Sequence, residues 1–378
     1  MLDLTSLIYA LIVGFGIFGL DAAWNANTVR TDFTVSDTLG SAGVKPEFAT
    51  VVFSRELEGV FAVSSLVKAP QVRSSHDKTF VSILAESVGL GNATAAFQDL
   101  FGLHPVKILS TLTTEGTLPR LEIVCEAGVR GTFYLSLEAR ESETAVSLIR
   151  RGAIEAAARL DPYHTALYLL DPPVGEPDTP KARRVLDEAI AVQVAIPVNP
   201  IRGRFHNLRG IVALLEEDKE AAASFFEKAI LDDPNLAAGH LNLAFTRVEQ
   251  DRYADAGMIV RHILQTRRKG LQPALLASAN TINGVVAWSQ KDYQAAGKHF
   301  QAATAVEPGV TDAYIYWGRM LIESGSVEEG RRRIRQGEAN QAEFENYAEI
   351  ALLYFWLTET DNQPLTRRPR GNGGIAAR

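Results

Sequence analysis

An apolar run near the start of the chain is followed by a long region of mixed apolar and polar residues. Seventeen residues without a charge lie between Asp3 and Asp21, and Trp24 follows them. This length is at the short end for a membrane-spanning helix, and an indole suits the membrane interface. We predict an uncleaved signal-anchor over residues 1–24, with the soluble part in the periplasm outside a bacterial inner membrane. A cleaved signal peptide and a buried helix of a soluble domain are the alternatives.

The next part of the chain mixes helical and strand-like periodicity. Residues 46–68 have apolar positions at helical spacing, with Pro46 suited to a first turn. Runs rich in Val, Ile, Thr, Leu and aromatic residues, separated by Gly or Pro, predict strands. They cover residues 77–84, 105–116, 118–127 and 131–139, with a helix predicted at 92–102. We therefore expect a small α+β domain over residues 30–145, and only helices beyond it.

The helical part contains an internal repeat. Gly210 and Gly284 are each followed by Ala, Phe, Ala and Pro at intervals of 12, 16, 19 and 24 residues. Ala244 stands 34 residues after Gly210, and Gly318 stands 34 residues after Gly284. The matching residues are Ala222, Phe226, Ala229 and Pro234 in the first copy and Ala296, Phe300, Ala303 and Pro308 in the second. A fixed period of this length indicates stacked helical units.

These segments resemble tetratricopeptide repeats, which are helical hairpins of about 34 residues. The resemblance implies a right-handed α-solenoid over residues 146–360, so the expected fold class is mainly α. Small residues such as Gly210 let the two helices of a unit approach, and larger ones such as Phe226 fill the space to the next unit. The run at 340–359 would be the capping helix, since the end of a stack needs a cover. We expect residues 361–378 to be a disordered basic tail.

Composition and charge exclude some functions. The chain has 38 Lys and Arg against 45 Asp and Glu, so it lacks the basic balance that nucleic acids attract. Cys125 is the only cysteine, which rules out an intramolecular disulfide or a site with several thiolate ligands. We expect no nucleic-acid partner, no metal and no cofactor.

The sequence offers little that resembles an enzyme. It lacks a P-loop, a Gly-x-Ser-x-Gly elbow and a His-Glu-x-x-His pattern. His206 and His240 stand one repeat apart and could both face a metal, although large packing residues usually fill that position. Ser54, His76 and Asp77 are residue types of a catalytic triad without its spacing. We predict a protein without enzymatic activity; the alternative is an envelope or signalling enzyme with a catalytic α+β domain regulated by the repeats.

The resemblance also implies a binding surface. The groove-facing positions of the family correspond to Asn207, Ile211, Leu241, Phe245, Thr281, Trp288, Ile315 and Arg319. Apolar residues prevail among them, which favours a bound peptide or helix, with Trp288 as the anchor. Two alternatives stay open: the chain itself fills the groove, or the solenoid is a self-association module. The prediction is a membrane-anchored scaffold that recruits a protein or peptide partner.

Overall fold

The structure is a computed structural model that forms two compact units. It describes residues 28–41, 43–63, 65, 70–74, 105–115, 118–127, 131–172, 176–193 and 199–340. The first unit ends at Thr165 and the second begins at Ala166. The predicted anchor at residues 1–24 lies outside the described residues, and within them no helix is long and apolar enough to cross a membrane.

The first unit is built on a five-stranded mixed sheet. Its strands are β1 Thr28–Val35, β2 Gln71–Ser74, β3 Val106–Glu115, β4 Leu118–Glu126 and β5 Thr132–Glu138. The spatial order is β2-β1-β3-β4-β5. Strand β1 is parallel to both of its neighbours, whereas β3, β4 and β5 form an antiparallel meander. Parallel strands need crossover connections, and the connection from β1 to β2 contains two helices, Asp37–Ser41 and Pro46–Phe61.

Helices cover one face of this sheet. They are α1 Asp37–Ser41, α2 Pro46–Phe61 and α3 Ala145–Leu160. Helix α2 buries Phe53, whose ring meets Phe33 of β1 edge to face at 5.6 Å between centroids. Helix α3 lies so close to β4 that Gly152 has no room for a side chain beside Leu121. Alternation along β4 buries Leu121, Ile123 and Cys125 on the same face, so the core lies between the sheet and the helices.

The elements of this unit agree with the sequence in part. Strands β3, β4 and β5 occupy the last three of the four strand-like runs. Helix α2 begins at the predicted Pro46 but ends at Phe61, before the predicted end. Strand β1 was not predicted, although its buried and exposed residues alternate. Helix α3 packs on α2 and the sheet, whereas the sequence assigned residues from 146 onward to the solenoid. The runs predicted at 77–84 and 92–102 lie outside the described residues.

Only helices follow α3 in the described part of the chain, and the boundary between the two units falls within the first of them. They are α4 Pro162–Leu170, α5 Thr179–Val192, α6 Pro200–Leu215, α7 Lys219–Asp232, α8 Ala237–Glu249, α9 Tyr253–Arg267, α10 Pro273–Ser289, α11 Tyr293–Val306, α12 Thr311–Glu323 and α13 Val327–Asn340. Four hairpins pair α6 with α7, α8 with α9, α10 with α11 and α12 with α13. The first helix of each hairpin contains one of the residues Gly210, Ala244, Gly284 and Gly318. The resemblance to tetratricopeptide repeats is thereby confirmed for residues 200–340.

The four hairpins share one turn. The residue seven positions after the small residue has positive φ in every hairpin, between 58° and 95°. These four residues are Glu217, Asp251, Lys291 and Gly325. In the first and third hairpins an aspartate follows, Asp218 or Asp292, and its carboxylate accepts a hydrogen bond from the backbone of the second helix. The turn therefore sets the same entry into each second helix.

The hairpins close on small residues. A Cβ on Gly210 would lie 2.5 Å from the ring of Phe226, and a Cβ on Gly284 would lie 2.5 Å from the ring of Phe300. Both phenylalanines are fully buried. In the second hairpin Ala244 replaces the glycine, and the smaller Val260 replaces the phenylalanine. The size of one residue is thus matched to that of its partner within each hairpin.

Candidate functional site

The predicted groove residues lie on the first helices of the four hairpins, and most of them are inaccessible. Trp288 and Arg319 are partly exposed. The other six, which are buried, are Asn207, Ile211, Leu241, Phe245, Thr281 and Ile315. Of the eight predicted groove residues, therefore, Trp288 and Arg319 are the ones that a partner can contact in this conformation.

Polar residues lie among the buried ones on these first helices. The Asn242 side chain donates a hydrogen bond to Oδ1 of Asn207 in the preceding hairpin, at 2.8 Å. The hydroxyl groups of Thr246, Ser278 and Thr281 each donate to the carbonyl oxygen four residues earlier, at 2.8 to 3.0 Å. These hydrogen bonds give the buried polar groups partners in place of the water molecules that burial removes.

Asp312, at the start of α12, differs from them. Its side chain is only 2% exposed, and within the described part of the chain its Oδ2 atom has no hydrogen-bond partner. Burial raises the pKa of this carboxyl group well above its ordinary value, and no neighbouring charge opposes the effect. A carboxyl group in this environment is held in its neutral form at a higher pH than an exposed one.

Trp288 belongs to a polar cluster that links the third and fourth hairpins. Its indole N–H donates to Oε2 of Glu323 at 2.8 Å, and the Tyr293 hydroxyl donates to Oε1 of the same residue at 3.1 Å. Lys291 also donates to this carboxylate, and its hydrogen bond holds the pKa of Glu323 below the ordinary range. The indole is thus fixed in one orientation, so binding would cost little side-chain entropy.

The two histidines one repeat apart have separate surroundings. His206 lies 3.6 Å from a carboxylate oxygen of Asp232 and stacks on Phe225, and burial lowers the pKa of its imidazole. His240 stands beside His262 instead, with 6.0 Å between the ring centroids. Within the described residues no group of three or more His, Cys, Asp or Glu side chains could hold a metal ion. The two imidazoles therefore have different neighbours among the described residues.

The sheet unit does not assemble the triad residue types within its described part. Ser54 is hydrogen bonded to Thr31 through their side-chain oxygens, at 2.6 Å. His76 and Asp77 lie outside the described residues. Cys125 is fully buried, and burial raises the pKa of its thiol to about 12, so the reactive thiolate is suppressed.

Two surface cavities were not predicted from the sequence. The first, of about 470 Å³, is lined by residues of α7 and of the segment around the end of α8. The second, of about 510 Å³, lies one repeat further along, between α9, α10 and the start of α11. Gln250 lines the first and Gln290 the second, and both stand six positions after the small residue of their hairpin. Aligning the repeats position by position would have indicated that these cavities correspond.

Comparison with known proteins gives likeness in fold only. No known family model and no curated protein matches the sequence. Among solved structures, PilF from Pseudomonas aeruginosa is 18% identical over 49% of this chain and 77% of its own, with a TM-score of 0.38. MamA from Desulfovibrio magneticus is 14% identical over 52% of this chain and 95% of its own, with a TM-score of 0.35. YrrB, described as a TPR protein with an unusual peptide-binding site, is 16% identical over 50% of this chain and 92% of its own, with a TM-score of 0.33.

Proposed function

We propose that this protein is a membrane-anchored scaffold that recruits a protein partner through its solenoid, with Trp288 as the main contact. The observation that carries the proposal is the fixed and partly exposed indole at the junction of the third and fourth hairpins. Aromatic side chains that are ordered before binding are the usual centres of protein interfaces. The apolar run before Asp21 supports the anchor, which would confine the protein to the surface where its partner lies.

The experiment is affinity capture from native membranes with the full chain as bait. We expect one protein to be retained by the native chain and retained several-fold less by Trp288→Ala. Trp317→Ala is the matched control, because Trp317 is also partly exposed but lies under the guanidinium of Arg333, 4.0 Å from its ring centroid. Circular dichroism should show equal helix content for all three proteins. Undiminished capture by Trp288→Ala would remove the proposed contact.

Membrane attachment has its own test. The full chain should stay with the membrane fraction after a carbonate wash, and a variant lacking residues 1–24 should be released. Equal release of both proteins would contradict the anchor and leave the interaction proposal to stand on Trp288 alone.

A further inference from the structure

The first of the two cavities contains its own ion pair. Arg247, on α8, reaches Glu227, on α7, with 2.5 Å between the guanidinium and the carboxylate. The same guanidinium donates to Oε1 of Gln250 at 2.7 Å. Arg247 is largely buried in this arrangement, its side chain being 12% exposed. The cavity therefore holds a carboxylate supplied by the chain itself.

The second cavity has lost this pair. Arg261 stands where Glu227 stands, seventeen positions after the small residue of its hairpin, so a cation replaces the anion. Ala287 stands where Arg247 stands, so the side chain that occupied the space is reduced to a methyl group. Arg261 is exposed and lines the cavity, and no ion pair joins it to another side chain in the described part of the chain. Among the described residues, the second cavity thus combines a guanidinium that has no carboxylate partner with a methyl group where the first cavity has an arginine side chain.

Hydrogen-bonding groups surround this space. The polar lining residues are Arg261, Gln265, Asn283, Gln290, Asp292 and His299. Asp292 is the only acid among them, and its Oδ1 accepts a hydrogen bond from the backbone N–H of Ala295 at 2.9 Å. Asn283 and Gln290 each add a side-chain amide to the lining, and each amide can donate hydrogen bonds. A planar anion with two oxygens matches such a set of donors.

We infer that the cavity between α9, α10 and α11 binds a carboxylate group of a polypeptide, which pairs with Arg261 and takes the space left at Ala287. The inference adds a second contact to the proposed scaffold function. It rests on that function only in taking the recruited protein as the source of the carboxylate. The group can be an aspartate or glutamate side chain or a chain terminus, since these share one chemistry. Its position differs from that of Trp288, so the two contacts can be tested separately.

The test is a titration of the full chain, labelled at the histidine imidazoles, followed by NMR. His299 lines the cavity and reports binding, and its resonance is identified from its loss in His299→Gln. The probes are a blocked pentapeptide with a central glutamate, the same peptide with glutamine, and an all-glycine peptide with a free carboxyl end. We expect the glutamate peptide to shift the His299 resonance saturably and the glutamine peptide to leave it unchanged. A shift by the free terminus alone would assign the site to chain ends.

Two variants decide whether Arg261 is responsible. Arg261→Gln should weaken binding of the glutamate peptide about fivefold, the upper limit for an exposed ion pair. The double variant R261E/A287R rebuilds the ion pair of the first cavity and should abolish binding while the protein stays folded. Saturable shifts of equal size by the glutamate and glutamine peptides, no shift by any of the three peptides, or full binding by Arg261→Gln would overturn the inference. Because neither variant touches Trp288, a failed titration leaves the capture experiment unaffected.

Discussion

At the residue scale, the solenoid depends on matched pairs and on a few buried polar groups. Gly210 and Gly284 face phenylalanines, whereas Ala244 belongs to the hairpin with Val260. Buried Asn242 has a partner for its side-chain amide, but Oδ2 of Asp312 has none in the described part of the chain. These residues therefore differ in what a substitution would do to stability.

Asp312→Asn should stabilise the protein at neutral pH. Burial raises the pKa of Asp312 in the folded state above its unfolded value, so folding takes up a proton between the two. The free energy of unfolding therefore falls as pH rises through that window, and the asparagine variant lacks this loss. We expect a gain of about 1 to 3 kcal/mol at pH 7, since each unit of pKa difference between the folded and unfolded states is worth about 1.4 kcal/mol. Urea denaturation at pH 7 and pH 4 measures it, and the gain should shrink at pH 4.

Asp232→Asn is the matched control for that variant. Burial alone would raise the pKa of Asp232, but the hydrogen bond and charge of Arg202, with smaller contributions from His206 and the Asn199 backbone, together hold the pKa below the ordinary value. This substitution should therefore destabilise the protein at pH 7. A loss of stability in Asp312→Asn as well would show that its carboxylate has a partner in solution.

Gly284→Ala should destabilise the third hairpin. Its new methyl group would lie 2.5 Å from the ring of Phe300, and overpacking of this kind costs about 1 to 3 kcal/mol. The double variant G284A/F300V copies the residues of the second hairpin, Ala244 and Val260. We expect it to cost less than the sum of the two single variants in denaturant unfolding. Strict additivity would contradict the size matching.

At the element scale, the sequence predicts the repeated helices well because their spacing is long and regular. It also predicts β3 to β5, because each of these runs is rich in strand-forming residues and is bounded by Gly or Pro. Strand β1 was not predicted because its sequence, TVRTDFTV, carries the charged residues Arg30 and Asp32 and has few large apolar side chains. The groove is a different case: spacing identifies which residues share a helix face, but burial of that face depends on long-range packing.

The shared hairpin turn gives a prediction for Gly325. Its φ of 95° is unfavourable for a residue with a Cβ, so Gly325→Ala should lose about 1 kcal/mol or more. Glu217 adopts φ of 61° with a side chain already present, and Glu217→Gly should leave stability unchanged or raise it slightly. Gly297→Ala is the control, because no atom lies within 4 Å of its added Cβ in the middle of α11. That variant should gain about 0.5 to 1 kcal/mol from helix propensity.

These three variants are compared by thermal unfolding of the full chain. A Gly325→Ala protein as stable as the native one would mean that the turn relaxes to negative φ. The position in the repeat would then not require the left-handed conformation that all four hairpins adopt.

At the scale of the whole molecule, the boundary between the units falls after α3. This helix buries Leu148, Ile149 and Ala153 within the sheet unit, on α2 and β4. The sequence placed the boundary before it because a long amphipathic helix resembles those of the solenoid. Periodicity identifies the apolar face of a helix but not the surface that covers it.

A pair of fragments tests this boundary. Residues 145–378 carry α3 without the sheet, so its apolar face should be exposed and cause self-association. Residues 162–378 lack that face and should remain monodisperse in light scattering. If both fragments behave alike, α3 does not depend on the sheet for its cover.

The shared turn in each hairpin also bears on how the copies diverge. Every hairpin from Gly210 to Gly318 enters its second helix through a positive-φ residue at the same position, so the turn does not depend on which other side chains a copy carries. Selection would then act on the side chains of each copy separately. The exchange of Glu227 and Arg247 for Arg261 and Ala287 is what such divergence between copies produces: one copy retains its internal counter-charge and the next is free to acquire a new role.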